Sequence, residues 1–146
     1  MIDNPALSYN NFLRILIQYN KIKFLACGDI QDTLIKLRSM DIDATAIDYD
    51  PKYKNTPNYV NKDFVFDDVD LDADLIVHTN IEKTYAVEFK SGTDVILIGD
   101  NDEHNGDCIP IFSADQIIKL YNVKKVYEKG PDGEDNPTHF FVYGKI

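Results

Sequence analysis

Short apolar runs that end in turn-forming or acidic residues, set between helix-like segments, constrain this chain's fold more than any other feature. Runs at 22–27 (Ile-Lys-Phe-Leu-Ala-Cys), 44–48 (Ala-Thr-Ala-Ile-Asp), 74–78 (Asp-Leu-Ile-Val-His) and 95–99 (Val-Ile-Leu-Ile-Gly) are too short for core helices and too apolar for one-sided strands. They read as strands buried on both faces, and 63–66 reads as a further strand closed by Asp67-Asp68. Helix-like segments precede and separate them. Ser8 caps a helix over 9–19 with Phe12, Leu13, Ile15, Leu16 and Tyr19 on one face, and a second covers 31–40 with Leu34, Ile35 and Leu37 inward. Helix and strand in alternation predict a mostly parallel sheet.

The C-terminal part follows another pattern. Ser113 caps a helix to residue 121 with Ile117, Ile118 and Tyr121 facing in, and two strands at 124–127 and 139–143 follow. The Gly130-Pro131-Asp132-Gly133 turn between these strands predicts an antiparallel hairpin. The expectation is an α/β domain with seven strands, mostly parallel, whose C-terminal strand runs antiparallel.

A length of 146 residues suits one domain over 1–146. The net charge of -10 repels phosphate backbones, so tight nucleic-acid binding is disfavoured. No run of about 18 apolar residues or secretory leader is visible, so no membrane association is expected. Two cysteines, Cys27 and Cys108, make no disulfide framework, and a reduced cytoplasmic setting follows as the expectation.

In open α/β sheets, ligands lodge beyond the carboxyl ends of the strands. Here the first strand ends at Ala26-Cys27-Gly28-Asp29, where a glycine lets a ligand approach the backbone and the next helix offers its free amides. Asp48 follows Gly28 by about 20 residues, a spacing that suits a carboxylate accepting from ribose hydroxyls. Asp67-Asp68 is placed to meet an adenine amino group, and His78-Thr79-Asn80 ends the fourth strand. G-x-G-x-x-G is absent, which argues against a pyrophosphate cofactor such as NAD.

These segments resemble class I S-adenosylmethionine (SAM) methyltransferases. Residues 22–51 are similar to motif I and the strand after it, and Ala46-Ile-Asp-Tyr-Asp-Pro51 resembles the family's second-strand ending. Residues 64–69 resemble its third-strand ending. Residues 74–82 resemble a group whose fourth strand reads Asp-Leu-Ile-Ile-Asn-Thr-Ser-Cys-Glu-His, with Asp100-Asn101, His104 and Cys108 as downstream counterparts, and 125–146 fit its hairpin. The resemblance implies a three-layer, Rossmann-like sandwich binding SAM. Ala26, Cys27, Gly28 and Asp29 would border the methionine moiety, Asp48 would hold the ribose and Tyr49 would pack beside adenine. Asp67 and Asp68 would meet the adenine edge, and His78, Thr79 and Asn80 would line the transfer end. His78 or Glu82 would serve as base, with a small molecule or a protein as acceptor. The chain departs from the pattern in having one glycine in motif I, in His78, Asn80, Ile81 and Lys83 at the group's Asn, Ser, Cys and His, and in its short connections. These departures leave a second expectation open, a catalytically reduced SAM- or nucleotide-binding module or an interaction scaffold of the same fold.

Other candidates read as ordinary structure. Asp102, Glu103, His104 and Asp107 match no calcium-loop spacing, so a solvated loop or lid is expected and no metal. Cys27 and Cys108 read as structural thiols, and His139 as a surface residue.

Overall fold

The computed structural model describes residues 7–101, 109–131 and 138–146. The apolar runs become β1 (Lys21–Leu25), β2 (Asp43–Ile47), β4 (Leu75–His78) and β5 (Asp94–Asp100), with a two-residue β3 at Tyr59–Val60. β6 (Lys125–Gly130) and β7 (His139–Lys145) close the chain, and the single sheet has the order β3-β2-β1-β4-β5-β7-β6. β1 to β5 pair in parallel, while β7 runs antiparallel to both β5 and β6. The mixed α/β class and the antiparallel C-terminal strand are as the sequence predicts.

Both faces of the sheet are buried, which explains the near-continuous apolar strands. In β5, Ile96 and Ile98 join one core while Val95 and Leu97 join the other. The first core packs under α1 (Tyr9–Leu16) and α2 (Gln31–Ser39) through Phe12, Ile15, Leu34 and Leu37. The second lies under α3 (Ala114–Tyr121), a 3-10 turn at Ile81–Lys83 and the segment 61–74, through Ile117, Ile81 and Phe64. Ser8 and Ser113 cap α1 and α3 by accepting from the amides of Asn11 and Gln116. Gln116 Oε1 in turn accepts from the Phe112 amide, just before the cap, which helps fix the start of α3.

Three expectations are corrected. The third strand is Tyr59–Val60, not 63–66. There the Asp67 amide donates to the Asp63 carbonyl and the Asp67 carboxylate accepts from the Asp63 amide, so local bonds replace a sheet ladder. α1 ends at Leu16, because Gln18 and Tyr19 turn with 3-10 bonds to Ile15 and Leu16. Ile35 does not face inward; it is 65% exposed, since Leu34 and Leu37 already fill the buried stripe of α2.

No helix among the described residues is long and apolar enough to cross a membrane. Between β3 and β4, and between β4 and β5, the described chain forms loops and one 3-10 turn where α-helices would be expected to cross. The turn at 132–137 and the loop residues 102–108, with His104 and Cys108, lie outside the described residues.

Candidate functional site

The carboxyl end of β1 turns through two left-handed residues, Ala26 (φ +52°) and Gly28 (φ +67°). A Cβ on Gly28 would meet only the Tyr53 hydroxyl at 3.9 Å, so the backbone angle, not crowding, calls for glycine. Ala26 adopts that angle despite its side chain, and such strain tends to gather at ligand sites. Tyr59 holds the turn from β3, across β2. Its hydroxyl donates to the Gly28 carbonyl (2.8 Å) and accepts from the Ile30 amide (2.9 Å). Burial pushes that phenol up to about 12, so it keeps its proton. Tyr53, in the 3-10 turn after β2, stacks on the Tyr59 ring at 4.6 Å between centroids. Replacing Tyr59 with phenylalanine strands the buried Ile30 amide, and a loss of about 1–3 kcal/mol is expected in urea unfolding.

The amides at the start of α2 are less free than the sequence implies. Besides Ile30, the Gln31 amide bonds the Asp29 carboxylate (3.3 Å) and the Thr33 amide bonds Asp32 (2.9 Å). Asp29 therefore acts on its own helix, occupying the anion position a ligand carboxylate would take.

Asp48 lies one residue beyond β2 and is almost fully buried. Its Oδ1 accepts from the Asp50 amide (3.0 Å), and its Oδ2 has no hydrogen-bond partner among the described residues. Asn61 braces the same segment, donating to the carbonyls of Asp48 and Asp50. Tyr49 is exposed beside it. Across the edge, the Asn80 amide group donates to the Ala26 carbonyl (2.6 Å) and reaches the Thr79 hydroxyl (3.3 Å). The ends of β1 and β4 are thereby tied, with Ala26, Gly28, Asp48 and Asn80 on adjacent parallel strand ends.

His78 and Glu82 are internal. His78 is fully buried, with Nε2 against the Thr84 hydroxyl (2.9 Å) and Nδ1 accepting from the Asn80 amide (3.4 Å). Burial pushes it down to about 3, so the ring is neutral. Glu82 is 1% exposed, and burial, aided by the Asp100 charge, raises its carboxyl to about 7. Among the described residues, its Oε2 and Asp100 Oδ1 are buried without a hydrogen-bond partner. Cys27 points its thiol at the carbonyls of Leu25 and Val77, and burial pushes it up to about 12, which suits the structural thiol expected.

Asp67 and Asp68 sit in the 61–74 segment, not at a strand end. His139, expected at the surface, is partly buried 3.6 Å from Asp100. Tyr59 and Asn61 escaped sequence reading, because their roles depend on partners 11 to 31 residues away in the chain. A short strand carrying a tyrosine was the one available signal for Tyr59.

No family model and no curated protein matches the chain. Among solved structures, a chain in the crystal structure of the fibrillarin/Nop5p complex is similar, with a TM-score of 0.55 and 12% identity. The match covers 86% of this chain and 72% of that one. At that identity the likeness extends to the fold alone, a Rossmann-like α/β arrangement with a mostly parallel sheet.

Proposed function

We propose that this chain binds SAM along the carboxyl edge of β1, β2 and β4 and passes its methyl group to a small-molecule or protein acceptor. The observation that carries the reading is the tied strand edge: a left-handed turn at Ala26 and Gly28, Asp48 at the next strand end with its Oδ2 unbonded among the described residues, and Asn80 bridging back to Ala26. The sheet order and the fibrillarin-like fold support it.

These residues fit the ligand's chemistry. Asp48 Oδ2 would accept from ribose hydroxyls, with Tyr49 beside the base, and the open backbone at Gly28 with Cys27 and Asp29 would border the amino-acid end. Thr79 and Asn80 would line the end that carries the methyl. When bound, the sulfonium supplies an electrophilic methyl for in-line displacement, so the protein's task is orientation. Neutral His78 holds Asn80 and Thr84 from behind and acts as a positioning residue. With His78 and Glu82 enclosed, the reading favours an acceptor that needs no exposed base at this point.

Titration calorimetry with SAM and S-adenosylhomocysteine tests the reading. Binding of both is expected, and the Asp48→Ala variant is expected to weaken it roughly 10- to 100-fold by removing charge-assisted bonds. No heat at millimolar ligand overturns the proposal, and a thermal shift with NAD but not SAM would replace it with dinucleotide binding. One observation favours a second reading, a binding module without turnover: both titratable candidates near the transfer end are buried. Binding without methylated product across a broad acceptor panel would select it.

A further inference from the structure

Beside the Gly28 turn, two stacked tyrosines use their hydroxyls differently. Tyr59 bonds the turn on both sides, donating to the Gly28 carbonyl and accepting from the Ile30 amide. The Tyr53 hydroxyl makes no hydrogen bond of ordinary length among the described residues, although its oxygen is buried and the residue is 5% exposed. The Lys52 ammonium lies over the Tyr53 ring, 5.0 Å from its centroid. Its contact with the phenol, ahead of the charges of Asp50 and Asp48, holds that lysine above its ordinary range. An ammonium donates and cannot accept, so it faces the phenol oxygen and leaves the phenol proton unclaimed. The Tyr53 O–H is therefore an enclosed donor with no acceptor among the described residues, an arrangement that costs a folded chain stability.

That donor borders the open side of the turn. The Tyr53 oxygen lies 3.9 Å from the point a Cβ on Gly28 would occupy, and no other described atom beyond the adjoining residues comes within 4 Å of it. The neighbouring amides narrow what can meet the donor there. Those of Ile30, Gln31 and Thr33, at the start of α2, are already bonded to Tyr59, Asp29 and Asp32. An anion at this turn therefore draws on donors from another element, and the 3-10 turn at Pro51–Tyr53 supplies a hydroxyl and an ammonium side by side. The ammonium is exposed and only loosely paired, 3.8 Å from the Asp50 carboxylate, so it keeps donors for a second oxygen. A hydroxyl backed by a positive charge suits a carboxylate, whose charge-assisted bonds are short and strong.

We propose that Tyr53, backed by Lys52, recognises the carboxylate at the amino-acid end of the bound ligand, the Tyr53 hydroxyl donating to one carboxylate oxygen and the Lys52 ammonium pairing with the other. The inference rests on the SAM reading of this edge and names the residues that select for the amino-acid end. On that reading Asp48 meets the ribose hydroxyls, so one side chain reads the sugar and the other the carboxylate. A hydroxyl without a partner in the fold lowers stability, and such a cost is expected of a group kept for a ligand.

The experiment is calorimetry at one pH with SAM and decarboxylated SAM, which differ only in that carboxylate. The parent is expected to bind SAM about tenfold or more tightly than decarboxylated SAM. In Tyr53→Phe, SAM is expected to weaken about tenfold and decarboxylated SAM not at all. Asp48→Ala is expected to weaken both ligands alike, because both carry the ribose. Lys52→Gln is expected to weaken SAM and to flatten its dependence on salt. Phenylalanine keeps the stack on Tyr59, so without ligand Tyr53→Phe is expected to melt at or above the parent's temperature. Unchanged SAM affinity in Tyr53→Phe, or an equal loss for both ligands, overturns the proposal and leaves the SAM site standing. A lower melting temperature in that variant assigns the hydroxyl to the fold and also overturns it. Binding of neither ligand to the parent overturns the SAM reading itself, and this assignment with it.

Discussion

In urea unfolding followed from pH 5 to pH 8, Glu82→Gln is expected to gain on the parent protein, reaching an advantage of about 3 kcal/mol above neutrality. The folded carboxyl is raised from 4.5 to about 7, chiefly by burial and further by the facing Asp100 charge, while the unfolded one keeps its ordinary value. Between those values the unfolded chain releases a proton that the folded chain retains. Rising pH therefore favours unfolding, at about 1.4 kcal/mol per unit within the window. Below 4.5 both states are protonated and parent and variant should converge; above 7 the difference should level off. The groups facing Glu82 are Asp100 on β5, itself beside His139 on β7, together with Tyr121 on α3 and Lys83 on its own turn. Asp100→Asn removes the facing charge and should move the window to lower pH, which a bystander carboxylate would not do. Parallel stability curves for parent and Glu82→Gln across the range would refute the assignment.

This burial also shows where sequence reasoning reaches its limit. The strands were legible because residues such as Ile22, Phe24, Ile96 and Ile98 must all leave water, and a run of them within a few residues has few other solutions. The caps at Ser8 and Ser113 were legible because a cap is a bond between residues three apart. The strand expected at 63–66 is not there because a short apolar run between aspartates looks the same in a buried strand and in a loop closed by its own carboxylates. Gly28 and Asp48 were found at strand ends from local pattern, and the structure sets them at the ends of paired strands. The enclosure of His78 and Glu82 was not legible, because it depends on Phe64 and Thr84 folding over one and on Asp100 and Tyr121 facing the other. A histidine at a strand end looks the same in sequence whether its ring faces a cleft or an interior.

The opposite end of the sheet holds a second polar cluster, and Asp94→Ala is expected to lower stability by about 3 kcal/mol, read by urea or thermal unfolding. Asp94 opens β5 and accepts from the Tyr19 hydroxyl (2.6 Å) and the Tyr127 hydroxyl (3.2 Å), with the Lys145 ammonium at 2.9 Å. Tyr19 also bonds the Tyr143 hydroxyl at 2.7 Å, and Tyr127 leans on the Tyr143 ring. One carboxylate thus joins the segment after α1, the start of β5 and both strands of the hairpin. Burial and these bonds push the Tyr19 phenol far above its ordinary value, so it remains a donor at any working pH. Truncation leaves the half-buried Tyr19 with one partner and Lys145 without its counter-charge, whereas Tyr19→Phe removes only one side of the pair. Asn at 94 keeps an acceptor for the phenols but loses the ion pair, so it should fall between parent and alanine. The two residues share their bonds, so a Tyr19→Phe/Asp94→Ala double mutant should lose less than the two single losses added, by 0.5 kcal/mol or more, the coupling expected of direct partners. Additive losses would mean that the carboxylate supports the hairpin through Lys145 and Tyr127 alone, and that α1 is held to the sheet by its apolar face without this tether.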